Sequence, residues 1–288
     1  MTHSQTTALS DWIGRSETAS DLATEIPCAA LAATLECEGP VPRNGDLLPP
    51  LWHWLYFLPI HRQSELGDDG HAHRGGFLPP VARPRRMWAG SQLEFHVPLR
   101  VGDRMRRVST ILDIQDKEGR TGALTFVKVR HELHVGDAAA PALTETHDIV
   151  YRDLPGAGQD AAPQPQAAPS ASAWQRRIVP SDVLLFRYSA LTFNSHRIHY
   201  DRRYVTEVEG YPGLIVHGPL QATLLMDLLR RRMPRAVVKA FRFRAVRPVF
   251  DLHPFAVHGQ PSDDGREARL WVADHEGWLA MEATATLA

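Results

Sequence analysis

The chain has 288 residues, of which 32 are Lys or Arg and 33 are Asp or Glu. This balance leaves no overall positive field, so we expect no nucleic-acid partner. The two cysteines, Cys28 and Cys37, match neither a metal-ligand spacing nor a disulfide scaffold, so a reduced, cytoplasmic location is expected. No segment has the pattern of a signal peptide or of a membrane-spanning helix, so we expect no membrane association.

The first part of the chain contains a segment predicted to be helical, followed by a segment rich in aromatic residues. Residues 1–36 are interpreted as helical, with an Ala- and Leu-rich segment from Pro27 to Leu35. An aromatic segment from Leu51 to Leu58 contains Trp52 and Trp54. These side chains form either the wall of a pocket or a buried packing surface, and the sequence leaves both possibilities open.

Residues 64–87 are predicted to form a polar loop that covers a ligand, because Gly and Pro are frequent in it. The loop contains His71 and His73 without a pattern of Cys or carboxylate residues beside them, so we predict no metal site. Its last part contains three arginines: Arg83, Arg85 and Arg86. They either bind a phosphate or carboxylate group of a ligand or form a solvated basic turn.

The pattern changes to strands after this loop. Alternating apolar residues predict strands near 92–97, 106–114, 124–135 and 143–151, and again near 237–246, 253–260, 266–274 and 278–287. Residues 154–173 are rich in Ala, Pro and Gln and are predicted to be a linker. Helices followed by antiparallel strands indicate an α+β fold. The similar order of elements predicts a tandem repeat with domains 1–153 and 174–288.

The most informative stretch is 186–219. An apolar, strand-like run there ends in a polar cluster: Asn194, His196, Arg197 and His199. A second apolar run leads to Gly218, where Pro at the next position and helical spacing predict the start of a helix. The positive end of that helix favours an oxyanion beside the N–H of Gly218. An imidazole near an oxyanion site is the pair that carbonyl or thioester chemistry requires.

This stretch resembles the hydratase-2 signature of the MaoC-like enoyl-CoA hydratases, which belong to the hot-dog superfamily. The residues that fit the signature are Tyr188, Leu191, Thr192, Ile198 and His199. Asn194 stands where the signature has Asp. The variant Thr-Phe-Asn-x-His-Arg-Ile-His-Tyr looks like the subfamily of mesaconyl- and itaconyl-type CoA hydratases and of the mitochondrial type 2 3-hydroxyacyl-thioester dehydratases.

The resemblance implies a double hot-dog fold, in which each half is an antiparallel sheet wrapped around a long helix. It implies that the C-terminal half is catalytic and that the N-terminal half shapes the acyl pocket. His199 is then the acid/base, Asn194 orients water, and the N–H of Gly218 holds the enolate oxygen. Asn194 cannot ionise, so either His199 makes both proton transfers or His196 or Tyr188 helps. The expected substrate-binding residues are Tyr188, His196, Arg197, Trp54, Arg85 and Arg86.

The implied activity is reversible hydration of a short branched dicarboxylic enoyl-CoA, such as mesaconyl-CoA or itaconyl-CoA. Coenzyme A is part of the substrate, and no other cofactor is expected. One alternative is a dehydratase of fatty 3-hydroxyacyl thioesters. Alternatives from other classes are a hot-dog thioesterase and a non-catalytic acyl-CoA-binding protein. A monomer or a homodimer is expected, because a double hot dog already pairs two units in one chain.

Overall fold

The computed structural model describes residues 8–119, 122–153 and 164–288. The strands in the N-terminal half are β1 (Ser16–Leu22), β2 (Arg85–Phe95), β3 (Arg104–Gly119), β4 (Gly122–Val135) and β5 (Leu143–Arg152). Those in the C-terminal half are β6 (Trp174–Ile178), β7 (Val238–Ala245), β8 (Phe255–Pro261), β9 (Glu267–Ala273) and β10 (Leu279–Leu287). The α-helices are α1 (Glu25–Thr34), α2 (Asp182–Leu191) and α3 (Gly218–Arg232).

All these strands form one antiparallel sheet in the order β1-β3-β4-β5-β2-β7-β10-β9-β8-β6. The two halves meet where β2 pairs with β7, in a register that runs from Gly90 opposite Arg244 to Glu94 opposite Ala240. The sheet is therefore continuous across the two halves. The predicted α+β fold is confirmed, because the chain combines an antiparallel sheet with α-helices, and α3 packs directly on that sheet.

Helix α3 is the centre of the C-terminal core and packs against β6, β8, β9 and β10. Every residue from Leu220 to Leu229 is buried, so the helix is surrounded on all sides. Each fully buried leucine contributes about 1.5–3 kcal/mol relative to an exposed one. The helix that holds Gly218 is thus firmly anchored. Its N-terminal counterpart α1 is shorter, with 10 residues against 15.

Two local predictions are wrong. Residues 16–22, expected to be helical, form β1, which pairs with β3 from Ser16 opposite Thr110 to Leu22 opposite Arg104. The run before the polar cluster, expected to be extended, is α2, whose N-terminus is capped by Oγ of Ser181. Short apolar runs do not distinguish helix from strand, and here tertiary pairing and a cap decide the outcome. Strand β6 was not predicted, whereas α1 lies within the segment expected to be helical.

The predicted linker, residues 154–173, is described only in its second part, since residues 154–163 lie outside the described residues. There the N–H of Leu279 donates to the carbonyl oxygen of Gln166 at 2.7 Å, and the N–H of Ala168 donates to Gly277 at 2.9 Å. Residues 166–168 thus extend along the start of β10. The division into domains 1–153 and 174–288 remains a prediction. In the described parts of the chain, no helix has the length and apolar character needed to cross a membrane.

Candidate active site

The polar cluster forms a tight turn after α2. Phe193 has a positive φ of 47°, and Oδ1 of Asn194 accepts the N–H of His196 at 3.0 Å. This is the local bond by which Asn typically closes a turn. A single helical turn, Arg197–His199, follows. The side-chain oxygen of Asn194 is therefore engaged in a hydrogen bond with the backbone. The side-chain nitrogen is the group left to bind water or substrate.

His199 is buried, and its Nδ1 lies 2.7 Å from the carbonyl oxygen of Ile215. A carbonyl only accepts, so Nδ1 carries the proton and Nε2 has the free lone pair. Burial lowers the pKa of His199 to about 4 and keeps the ring neutral near pH 7. The structure thus presents His199 as a base whose tautomer is fixed.

Gly218 is the first residue of α3, so its N–H has no acceptor within the helix. Among the described residues outside the helix, a Cβ atom at this position would meet the carbonyl oxygen of Trp88, at an ordinary contact distance of 3.9 Å. No other described segment therefore packs tightly against this end of the helix. The N–H and the helix dipole both favour a negatively charged oxygen there.

The other predicted residues of the C-terminal half surround this pair. The ring of His196 lies 5.4 Å from that of His199, so His196 belongs to the same cluster. Arg197 donates to Oδ2 of Asp201 at 2.7 and 3.0 Å, and this pairing braces the segment. Tyr188 is buried, with its hydroxyl 3.5 Å from Oγ1 of Thr223, and burial raises its pKa. Tyr188 therefore stays protonated, and its ring lies edge-on to that of His217 at 5.1 Å.

A loop of the N-terminal half, residues 66–74, reaches this cluster. The N–H of Arg197 donates to the carbonyl oxygen of Asp69 at 2.9 Å. His71 is brought against His196, with 4.0 Å between ring centroids. The sequence predicted that this loop covers a ligand, but it did not identify Asp69. The sequence feature that could have indicated Asp69 is the polar run around His71, which has glycines on both sides.

The described residues bring together three potential metal ligands, since one atom each of Asp69, His71 and His196 lie within 4.8 Å of one another. Asp69 already accepts the backbone N–H of His71 at 2.9 Å and faces its Nδ1 at 3.1 Å. Burial lowers the pKa of both histidines and the charge of Arg86 lowers it further, so a further cation is disfavoured there. We interpret the group as a hydrogen-bonded carboxylate–imidazole pair.

The three arginines of the loop differ in their contacts. Arg83 donates to Thr125 and to the carbonyl oxygen of Ala123. Arg85 is buried, and its Nε lies 2.9 Å from a carboxylate oxygen of Glu209. Arg86 forms no ion pair within the described parts of the chain and lies near the histidine cluster. The structure therefore brings Arg86 to the site and leaves Arg83 and Arg85 in structural contacts.

Trp54 lies in a buried network of the N-terminal half. Its Nε1 donates to Glu145 at 3.1 and 3.2 Å, and Nε2 of His53 lies 3.0 Å from the same carboxylate. The ring of Trp54 meets that of Trp88 edge to face at 5.1 Å. Of the two possibilities left open by the sequence, these contacts favour a packing surface. A role of Trp54 in substrate binding remains a prediction.

The chain is similar to known enzymes over most of its length. Residues 51–251 match the model of the family described as hydroxyacyl-thioester dehydratase type 2. The mesaconyl-C(4)-CoA hydratase of Chloroflexus aurantiacus is 47% identical over 276 residues, which cover 96% of each chain.

Two solved structures show the fold. A MaoC-like dehydratase is similar with a TM-score of 0.71 and 14% identity, over 97% of this chain and 99% of the other. A Mycobacterium tuberculosis protein with a double hot-dog fold is similar with a TM-score of 0.52 and 14% identity, over 96% of each chain. The predicted double hot-dog fold is confirmed. From the family match and the 47% identity, this chain belongs to the hydroxyacyl-thioester dehydratase type 2 family.

Proposed function

We propose that the protein is a hydro-lyase that reversibly adds water to the double bond of a 2-enoyl-CoA thioester. One observation carries the proposal: His199, a buried imidazole with a free Nε2, stacks on His217, and the next residue, Gly218, begins α3 with an N–H that has no acceptor within the helix. The first group suits proton transfer, and the second suits the negative charge that develops on the thioester oxygen. The family of the chain agrees with this chemistry.

The proposed reaction begins when water, oriented by the amide of Asn194, attacks Cβ. Nε2 of His199 accepts the proton that water loses. The electrons of the double bond move onto the thioester oxygen, where the N–H of Gly218 and the positive end of α3 stabilise them. Protonation of Cα then completes the hydration. Dehydration follows the same steps in reverse.

For the acyl group we propose a short branched dicarboxylic chain of the mesaconyl type. Support comes from the relative named mesaconyl-C(4)-CoA hydratase, which is similar over 96% of this chain. Arg86 supports it too, because a guanidinium without an ion pair among the described residues suits the free carboxylate of such a substrate. Itaconyl-CoA is the second dicarboxylic candidate. A fatty 3-hydroxyacyl thioester is the alternative that the family description favours.

The remaining expectations stay proposals. They are a cytoplasmic location, a monomer or homodimer, no cofactor besides the coenzyme A of the substrate, and a pocket shaped by domain 1–153 beside a catalytic domain 174–288.

The test is incubation of the purified protein with crotonyl-, mesaconyl- and itaconyl-CoA, with enoyl absorbance and free thiol followed separately. A hydratase removes the absorbance and releases no thiol. Thiol release would indicate a thioesterase, and binding without either change would indicate a non-catalytic acyl-CoA-binding protein. Faster turnover of the two dicarboxylic substrates than of crotonyl-CoA would support the assigned acyl group.

A further inference from the structure

The loop of residues 66–74 is hydrogen-bonded to the segment 194–199, which holds the polar cluster. Besides the bond from the N–H of Arg197 to Asp69, Oγ of Ser195 donates to the carbonyl oxygen of Gly70. Gly70 has a φ of +86°, and a Cβ atom there would lie 1.9 Å from the carbonyl oxygen of Ser195. Only glycine permits this approach. The N-terminal half is therefore shaped to place this loop against the site.

The docked loop adds a carboxylate–imidazole pair to the histidine cluster. Oδ2 of Asp69 lies 3.1 Å from Nδ1 of His71, and Oδ1 accepts the backbone N–H of the same residue at 2.9 Å. Burial raises the pKa of Asp69, but its hydrogen bonds with His71 and the charge of that ring outweigh burial and lower the pKa to about 2, so the carboxylate is ionised and Nδ1 of His71 carries the proton. Nε2 is then the reactive end of His71. His196 lies between this ring and His199, at 4.0 and 5.4 Å.

Hydration of an enoyl thioester requires one proton to leave water and one to arrive at Cα. Enzymes with the hydratase-2 signature have a carboxylate at the position of Asn194, and an amide cannot replace its proton chemistry. Asp69 is a carboxylate that the fold brings to an imidazole of this cluster from a distant part of the chain.

We propose that His71 is the second catalytic imidazole of the site and that Asp69 is its positioning residue; this inference rests on the proposed function. Nε2 of His199 takes the proton of water as the O–Cβ bond forms and the double-bond electrons move to the thioester oxygen. Those electrons then form the Cα–H bond with a proton from Nε2 of protonated His71. The proton on His199 returns to His71 through His196, which restores the starting state.

Substrate binding promotes the protonated form of His71. In the free protein the pKa of His71 is lowered to about 4 by burial and by the charges of Arg86 and Arg74, while Asp69 opposes them. A substrate carboxylate on Arg86 cancels the largest of these repulsions and raises the pKa. His196 is the other titratable ring in contact with His71. The same arginine thus couples recognition of a dicarboxylic substrate to proton supply.

The experiment measures kcat, KM and the pH profile of hydration for His71→Ala and Asp69→Asn, with His73→Ala as the matched control from the exposed part of the loop. For His71→Ala we expect kcat to fall by about 10² to 10⁴ with little change in KM, since general acid/base help is lost. Added imidazole should restore part of the rate. Asp69→Asn should lower kcat and move the pH profile, whereas His73→Ala should match the wild-type protein.

Normal turnover of folded His71→Ala in an active preparation would overturn this inference alone. Failure of the wild-type protein to hydrate any enoyl-CoA would instead contradict the proposed function. If His71→Ala does not fold, His71→Gln takes its place, because glutamine keeps a donor for Asp69 and cannot exchange protons. Full activity of His71→Gln would overturn the inference. Metal bound to the wild-type protein and absent from His71→Gln, with activity lost to a chelator, would overturn it as well.

Discussion

The imidazole rings of His199 and His217 lie face to face, with centroids 3.7 Å apart and 19° between their planes. Nε2 of His217 lies 2.8 Å from Oγ of Ser189, and this hydrogen bond fixes the position of the His217 ring. Burial lowers the pKa of both rings, and neutral rings stack without charge repulsion. The stack sets the plane of His199, and the carbonyl of Ile215 sets its tautomer.

Ser189→Ala should lower the free energy of unfolding by about 1–3 kcal/mol, because the buried Nε2 of His217 loses its partner. Urea denaturation measures the loss. The matched control is Ser172→Ala, whose Oγ lies 3.1 Å from Nδ1 of the more exposed His258. Water can replace the lost partner there, so the control should be almost as stable as the wild-type protein. Equally small losses in both variants would contradict the structural role of the Ser189–His217 bond.

Stability should fall as the pH is lowered from 6.5 toward 4. Burial lowers the pKa of His71 and of His199 to about 4, and it also lowers those of His196 and His217. The unfolded chain binds protons at these rings near their ordinary value of 6.5, before the folded chain does. The stabilisation is therefore complete above pH 6.5 and is lost progressively below it.

Urea denaturation across this pH range tests the prediction. The variant His199→Gln, which cannot titrate, should show a shallower decline than the wild-type protein. A free energy of unfolding that stays constant or rises as the pH falls would show that these rings are not buried in the neutral form.

The proposed catalytic pair and its neighbours in sequence were predicted, but the contacts that distant segments make with them were not. His199 and Gly218 follow from local patterns, an imidazole in a recognisable turn and a Gly-Pro helix start. The contact of Gly70 with Ser195 joins positions 125 residues apart, and no local pattern reports it. For the same reason the three arginines of the loop looked equivalent in sequence, whereas in the structure it is Arg85 that pairs with the carboxylate of Glu209.

Gly70→Ala should displace the loop and lower both stability and kcat, because its Cβ would clash with the carbonyl oxygen of Ser195 at 1.9 Å. The matched control is Gly75→Ala in the following turn. Gly75 also has a positive φ, +91°, but of the described residues its Cβ would meet Pro80 alone, at an ordinary 3.7 Å. The control carries only the backbone strain, about 1–2 kcal/mol.

Thermal unfolding and steady-state kinetics of the two variants distinguish the effect of backbone strain from the effect of displacing the loop. Gly75→Ala should retain kcat, whereas Gly70→Ala should not. Similar kinetics for both would mean that docking of the loop has no part in catalysis.

Arg86→Gln should raise KM for a dicarboxylic enoyl-CoA on the order of tenfold or more, because a charge-assisted contact is worth about 1.5–3 kcal/mol. KM for crotonyl-CoA should change little if Arg86 binds the acyl carboxylate. An equal rise for both substrates would assign Arg86 to coenzyme A. Arg83→Gln, which changes an arginine held by Thr125 and Ala123, is the control and should leave both KM values unchanged.

Arg85→Gln should behave differently from Arg86→Gln. It removes the partner of Glu209, whose side chain is almost buried, so it should lower stability rather than substrate affinity. Unchanged KM in Arg86→Gln would remove the structural support for a dicarboxylic substrate, and that assignment would then rest on the relatives alone.

The most direct test of the central claim is the initial rate at which the enoyl absorbance of mesaconyl-CoA is lost with wild-type protein and with His199→Ala. Circular dichroism and the unfolding temperature confirm that the variant is folded. The account predicts turnover by the wild-type protein and a rate lower by about 10² to 10⁴ in the variant, since the base that accepts the proton of water is absent. A folded His199→Ala protein that hydrates the substrate at a near-normal rate would contradict it.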